Sequence, residues 1–102
     1  MATPLIIGTN GFVVAIDQAT GNELWRTLVG KGILGSSGQD VSVIIADGSV
    51  FAGSHGELFC LDLQTGEIRW KNELKGMGYN DISLAIEGVS IQYLQKVVRQ
   101  QS

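Results

Sequence analysis

The chain has 102 residues, a formal net charge of -3 from seven Lys/Arg and ten Asp/Glu, and 44% hydrophobic residues. That length supports one domain with a core but not two, and the apolar share argues against disorder. The basic residues form no cluster that could neutralise phosphates, so neither nucleic-acid binding nor attraction to an anionic membrane is expected.

Fourteen glycines and one proline without a period of three exclude collagen. The glycines instead punctuate short apolar runs, the pattern of many short strands. Cys60 is the only cysteine, so a disulfide within the chain and a multi-thiolate metal site are both excluded. Its place in 58–61 suits a small core residue better than a reactive thiol. Residues 1–4 lack a basic n-region, 5–7 are too short for a signal h-region, and no run approaches a membrane span. A cytoplasmic protein is the simplest expectation, with a processed secreted form as the alternative.

In chain order, residues 5–7 read as a strand and Asn10-Gly11 as a hairpin turn, since both positions tolerate positive φ. Residues 12–16 form the next strand, and their near-continuous apolar character predicts cover on both faces. Asp17 opens a turn that Gly21 closes, with Asp accepting backbone N–H bonds and Gly adopting a left-handed conformation. Residues 23–28 follow as a more polar outer strand carrying Trp25. A connector over 29–40 holds Gly30, Gly32, Gly35 and Gly38, which match neither a Walker nor a dinucleotide loop.

The same sequence of events then repeats. Residues 4–25 lie over 49–70 without a gap, at the offset that separates Trp25 from Trp70. The identical pairs are Gly8/Gly53, Gly11/Gly56, Asp17/Asp62, Thr20/Thr65, Gly21/Gly66 and Trp25/Trp70. Core positions such as Leu5/Val50, Val13/Leu58 and Ile16/Leu61 match in kind. His55-Gly56 takes the hairpin position, 58–61 the inner strand and 67–74 the outer strand. A weaker third copy begins at Asp81-Ile82-Ser83-Leu84-Ala85, which resembles Asp40-Val41-Ser42-Val43-Ile44. Alternation through Val89, Ile91, Tyr93 and Val97 favours a strand over the helical alternative. Internal repetition of this length marks a solenoid, propeller or array.

The segments Ala15-Ile16-Asp17-Gln18-Ala19-Thr20-Gly21-Asn22-Glu23-Leu24-Trp25 and Cys60-Leu61-Asp62-Leu63-Gln64-Thr65-Gly66-Glu67-Ile68-Arg69-Trp70 resemble the tryptophan-docking motif of quinoprotein-type, PQQ-like β-propellers. The resemblance implies four-stranded antiparallel blades in an all-β fold. It also implies that the Trp of one blade packs on its neighbour near that blade's motif Gly, giving Trp25, Trp70, Gly21, Gly66, Asp17 and Asp62 structural docking roles. The quinoprotein enzymes of the family further use about eight blades, a catalytic Asp, calcium ligands, a Trp platform and, in several, an adjacent-cysteine disulfide. None of those is matched here, so no cofactor and no metal are expected, and the motif speaks for fold and not for chemistry.

One partial-propeller domain is therefore expected over residues 1–102. Residues 4–28 form a blade without its innermost strand, 41–74 a complete blade, and 81–99 an incomplete third repeat. Blades bury their faces only against neighbours. Several hundred Å² of bare apolar face at each end costs on the order of 10 kcal/mol at about 25 cal/mol per Å². An excised piece is one resolution. The favoured one is a closed six- or eight-bladed ring of three or four identical chains, in which residues 81–99 complete a neighbouring chain's blade.

The candidate ligand contacts are Asn10, His55, Tyr79, Asn80 and Tyr93, polar or aromatic groups near turns where a glycan or protein could bind. His55 is the only histidine, and a solvated turn residue is the plainer account of it. Asp17 and Asp62 repeat as turn caps and not as a catalytic pair, and Asp40 and Asp81 read as turn carboxylates ahead of innermost strands. No catalytic constellation is apparent, although triads need not be close in sequence. The leading expectation is a non-enzymatic binding or scaffold propeller acting as a homo-oligomer. A multivalent lectin is the alternative, and a PQQ- or metal-dependent oxidoreductase the third reading.

Overall fold

A computed structural model of the chain describes residues 3–29 and 40–88. Among these residues the fold is all-β, in two antiparallel sheets. The first sheet is β1 (Leu5–Thr9), β2 (Phe12–Ile16) and β3 (Glu23–Leu28), in that order. The second is β4 (Ser42–Ala46), β5 (Ser49–Ser54), β6 (Glu57–Asp62) and β7 (Ile68–Asn72), again in chain order. The first sheet thus has three strands and the second four.

The hairpins follow from their turn residues. Asn10 and Gly11 have φ of 55° and 82°, and His55 and Gly56 have 49° and 77°, both central residues being left-handed. Two such residues twist the chain in the sense that antiparallel strands require. The register follows, with Thr9 opposite Phe12 and Ser54 opposite Glu57. The middles of β2 and β6 are buried, as their apolar runs predict, and β5 between β4 and β6 is buried along nearly its whole length. Both outer pairings carry a bulge at the same place, between Ala15 and Ile16 and between Cys60 and Leu61. The repeat is therefore preserved in irregularity as well as in regular structure.

The core lies between the two sheets. Ile6, Val13 and Trp25 from the first sheet pack on Val43, Ile45, Val50, Ala52, Phe59, Leu61 and Leu63 of the second sheet and its β6–β7 turn. Val50 and Leu61 are fully buried there. Tight approach at Gly8 brings the sheets together: a Cβ at that position would lie 2.5 Å from the Val41 carbonyl oxygen. The third repeat enters similarly, since a Cβ at Gly53 would lie 2.7 Å from Ile82 Cβ. Residues 81–86 thus approach the second sheet where Val41 approaches the first, but form no ladder among the described residues. The expected strand over 89–99, with Tyr93, and the glycine-rich stretch 30–39 lie outside the described residues.

Candidate functional site

The two Asp-to-Gly turns share a backbone. Gly21 N–H donates to the Asp17 carbonyl at 2.7 Å and Gly66 N–H to the Asp62 carbonyl at 2.8 Å. Asp17 N–H and Asp62 N–H each donate at 2.8 Å, to the carbonyls of Asn22 and Glu67. The Asp17 carboxylate accepts from Ala19 N–H and the Thr20 hydroxyl, each at 3.0 Å. The Asp62 carboxylate accepts from Gln64 and Thr65 N–H at 2.8 and 3.1 Å and from Arg69 at 2.7 Å. Both glycines are left-handed, with φ of 81° and 80°.

What lies over each turn differs. Trp25 reaches across from the first sheet and lays its indole on Gly66, where a Cβ would lie 2.5 Å from Trp25 Cδ2. The indole N–H donates to the Leu63 carbonyl at 3.1 Å, and the Thr27 hydroxyl to the Gly66 carbonyl at 2.7 Å. One side chain therefore satisfies the turn's outward carbonyl while covering its apolar face. At Gly21, among the described residues, no atom lies within 4 Å of the corresponding Cβ position. Trp70 is 45% exposed, its ring centre 6.1 Å from that of Phe51. Of the two expected docking pairs, one is filled and one is split between opposite sides of the molecule.

Several exposed apolar residues fall on those two sides. Ile44, Phe51, Leu58 and Trp70 line a shallow cleft on the second sheet, edged by Leu84 and Ile86. Phe51, Leu58 and Trp70 are the repeat equivalents of Ile6, Val13 and Trp25, which are covered between the sheets. On the opposite side Leu5 and Ile7 are 51% and 39% exposed. Their repeat equivalents, Val50 and Ala52, are fully buried.

A second, polar cleft of about 430 Å³ opens between the β5–β6 hairpin and the segment after β7, lined by Glu57, Glu73, Leu74, Lys75 and Tyr79 with three glycines. His55 stacks on the exposed Tyr79 with centroids 5.3 Å apart and rings 24° from parallel. Gly56 N–H donates to the Asn80 carbonyl at 3.2 Å, holding the two loops together. Glu57 is buried, and Lys71 Nζ lies 3.6 Å from its carboxylate. His55, Tyr79 and Asn80 are thus brought together, whereas Asn10 lies on the other sheet's hairpin. Glu57, Glu73 and Lys75 were not singled out in the sequence; only their flanking of the turns could have suggested them. Among the described residues no group of His, Cys, Asp and Glu is placed to hold a metal ion. Cys60 is buried, as its surroundings predict.

Residues 9–98 match a PQQ-repeat family model described as outer membrane protein assembly factor BamB. The chain belongs to this family. The match spans both docking turns and both tryptophans, so the propeller-type repeat read from the sequence is the family's own. No curated protein matches the chain significantly.

Within this family repeat, the turn carboxylate of the second blade carries a pH dependence. Hydrogen bonds from Arg69, and then from Gln64 and Thr65 N–H, hold the Asp62 pKa below its ordinary value. A group with a depressed folded pKa contributes fully above the unfolded value and loses that contribution as pH falls through the folded one. The expected result is a fall in melting temperature concentrated below about pH 4. That fall should be shallower in Asp62→Asn than in the parent chain. Parallel thermal melts over the acid range check it, and identical slopes would remove Asp62 from the account.

Proposed function

We propose that the protein is a non-enzymatic β-propeller scaffold or binding module that works as a homo-oligomeric ring of three or four chains. One observation carries this reading: the partly exposed face of the second sheet, with Trp70, repeats the residues of the face covered inside the chain, and the partly exposed face of the first sheet, with Leu5 and Ile7, repeats its partner. Faces related in this way join head to tail, and head-to-tail contacts close into rings when the rotation allows. The description of the family as an assembly factor is of the same scaffold kind. Native mass spectrometry on dilution tests the reading. A single species of three or four times the 10.9 kDa chain is expected, and a stable monomer overturns the ring.

The stacked His55–Tyr79 pair beside a polar cleft favours a second reading, a ring of repeated carbohydrate sites. An exposed aromatic face flanked by carboxylates and a lysine offers a sugar both stacking and hydrogen-bonding groups, and repetition around a ring adds avidity. Saturable binding on a glycan array, lost in Tyr79→Ala, is the expected outcome of that reading. Binding that is absent, or unchanged in Tyr79→Ala, argues for the scaffold alone.

A further inference from the structure

We infer that the polar cleft between the β5–β6 hairpin and the segment after β7 binds a neutral sugar unit, with Glu57 and Glu73 as the acceptors that select a neutral ring over an acidic one. This inference rests on the carbohydrate reading and deepens it, naming the sugar class and the residues that choose it. Comparison of the two blades carries it. In the first blade the same place is closed: Val29 N–H donates to the Gly11 carbonyl at 2.8 Å, and the Val29 side chain is buried. In the second blade the equivalent residue is Leu74, and the backbone there turns away. Leu74 has φ of 49°, a left-handed conformation that costs a leucine energy, and its N–H donates instead to Asn72 Oδ1 at 2.8 Å. The hairpin is tied down further along the chain, by Gly56 N–H on the Asn80 carbonyl. A cleft of about 430 Å³ opens where the first blade is closed.

The lining changes together with the backbone. Glu57 and Glu73 stand where the first blade has Phe12 and Leu28, an apolar cross-strand pair. Two like charges at such positions oppose folding, so stability does not account for the exchange. Carboxylates only accept hydrogen bonds, and a ligand that suits them is rich in donors, as sugar hydroxyls are. Lys71 already balances the buried Glu57, and Lys75 offsets Glu73 within the cleft lining. No net charge is left over to draw in an ion, and a sugar carboxylate would meet two acceptors of its own sign. Tyr79 lines the same cleft and is 70% exposed, with His55 stacked on it. It offers an aromatic surface to the apolar side of a sugar ring. The volume lies within the roughly 300–1,000 Å³ of small-molecule sites. The lining falls wholly within residues 56–79, so no second copy is needed to complete it.

NMR titration with the methyl β-glycosides of glucose and galactose, and with the matching glucuronide and galacturonide, tests this selection. At least one neutral glycoside is expected to give saturable shifts at the Gly56, Gly76 and Gly78 amides. Its uronide should bind at least about tenfold more weakly, because like charges are brought together. Glu73→Gln keeps an acceptor and removes the charge, so it should hold the neutral glycoside to within about threefold and close most of the gap to the uronide. Glu73→Leu restores the first blade's residue and should weaken the neutral glycoside by about tenfold, with the circular dichroism of the parent. A uronide that binds the parent chain as well as its neutral partner, or a gap unchanged in Glu73→Gln, would overturn the selection. Such binding, if lost in Tyr79→Ala, would leave the carbohydrate reading standing without it. Titrations in which no glycoside moves the cleft amides would remove both.

Discussion

Gly66→Ala is expected to destabilise the chain by about 3 kcal/mol, and Gly21→Ala by only about 1 kcal/mol. Both residues are left-handed, and a Cβ in that conformation costs about 1–2 kcal/mol. At Gly21 that is the expected effect on a single chain, because no atom of the described residues meets the added methyl. At Gly66 the methyl also collides with the Trp25 ring and comes within 2.9 Å of the Thr27 hydroxyl oxygen. Displacing the indole from a packed site adds about 1–3 kcal/mol. Urea unfolding in a Trp70→Ala background, where contacts between copies do not contribute, reads the difference directly. Equal losses at the two glycines would contradict the assignment of Gly66 as the filled docking site.

Trp25→Ala is expected to cost about 3 kcal/mol in the single chain, near the lower end for truncating a large buried aromatic. Trp70→Ala should cost less than about 1 kcal/mol there, the range of surface changes. The two tryptophans are equivalent in sequence and opposite in circumstance. Trp25 leaves behind an uncovered Gly66 and a Leu63 carbonyl without its donor. Trp70 lies beside Phe51 in a shallow cleft and is nearly half exposed. In the proposed ring the ranking would change, because a neighbouring copy would there cover Trp70 as Trp25 is covered within the chain. Denaturation of each variant in a Gly21→Asn background measures the single-chain values. A loss of 3 kcal/mol at Trp70 in that background would show that its own blade, and not a neighbour, holds it.

Much of this was legible in the residues, for physical reasons. The hairpins were fixed by Asn10-Gly11 and His55-Gly56, because few pairs accept two left-handed conformations. The turns were fixed by an Asp and a Gly placed to cap and to close. Trp25 and Gly66 could be paired only through the family resemblance, since contacts between blades leave no periodic trace in either one. The difference between Trp25 and Trp70 was not legible, because identical motifs conceal which copy has a neighbour. Strand ends also moved: β5 runs over Ser49–Ser54 and β6 over Glu57–Asp62, so pairing extends into residues that the apolar run alone left out. Glu57 shows the same limit. Its carboxylate is buried beside Lys71, a cross-strand arrangement that depends on the register of β6 against β7. In the first blade the equivalent pair is Phe12 and Arg26, with the guanidinium 5.4 Å from the ring centre. One backbone position thus serves two chemistries, which a search for identities passes over.

In the proposed ring the half-exposed face around Trp70 is covered in solution as the face around Trp25 is covered within the chain. Hydrogen–deuterium exchange at the two indole N–H groups of the parent protein, resolved by NMR, measures this directly. Protection of both indoles is the expected result, Trp25 through the Leu63 carbonyl and Trp70 through a carbonyl of another copy. A protected Trp25 beside a Trp70 that exchanges at the rate of a free indole would contradict it.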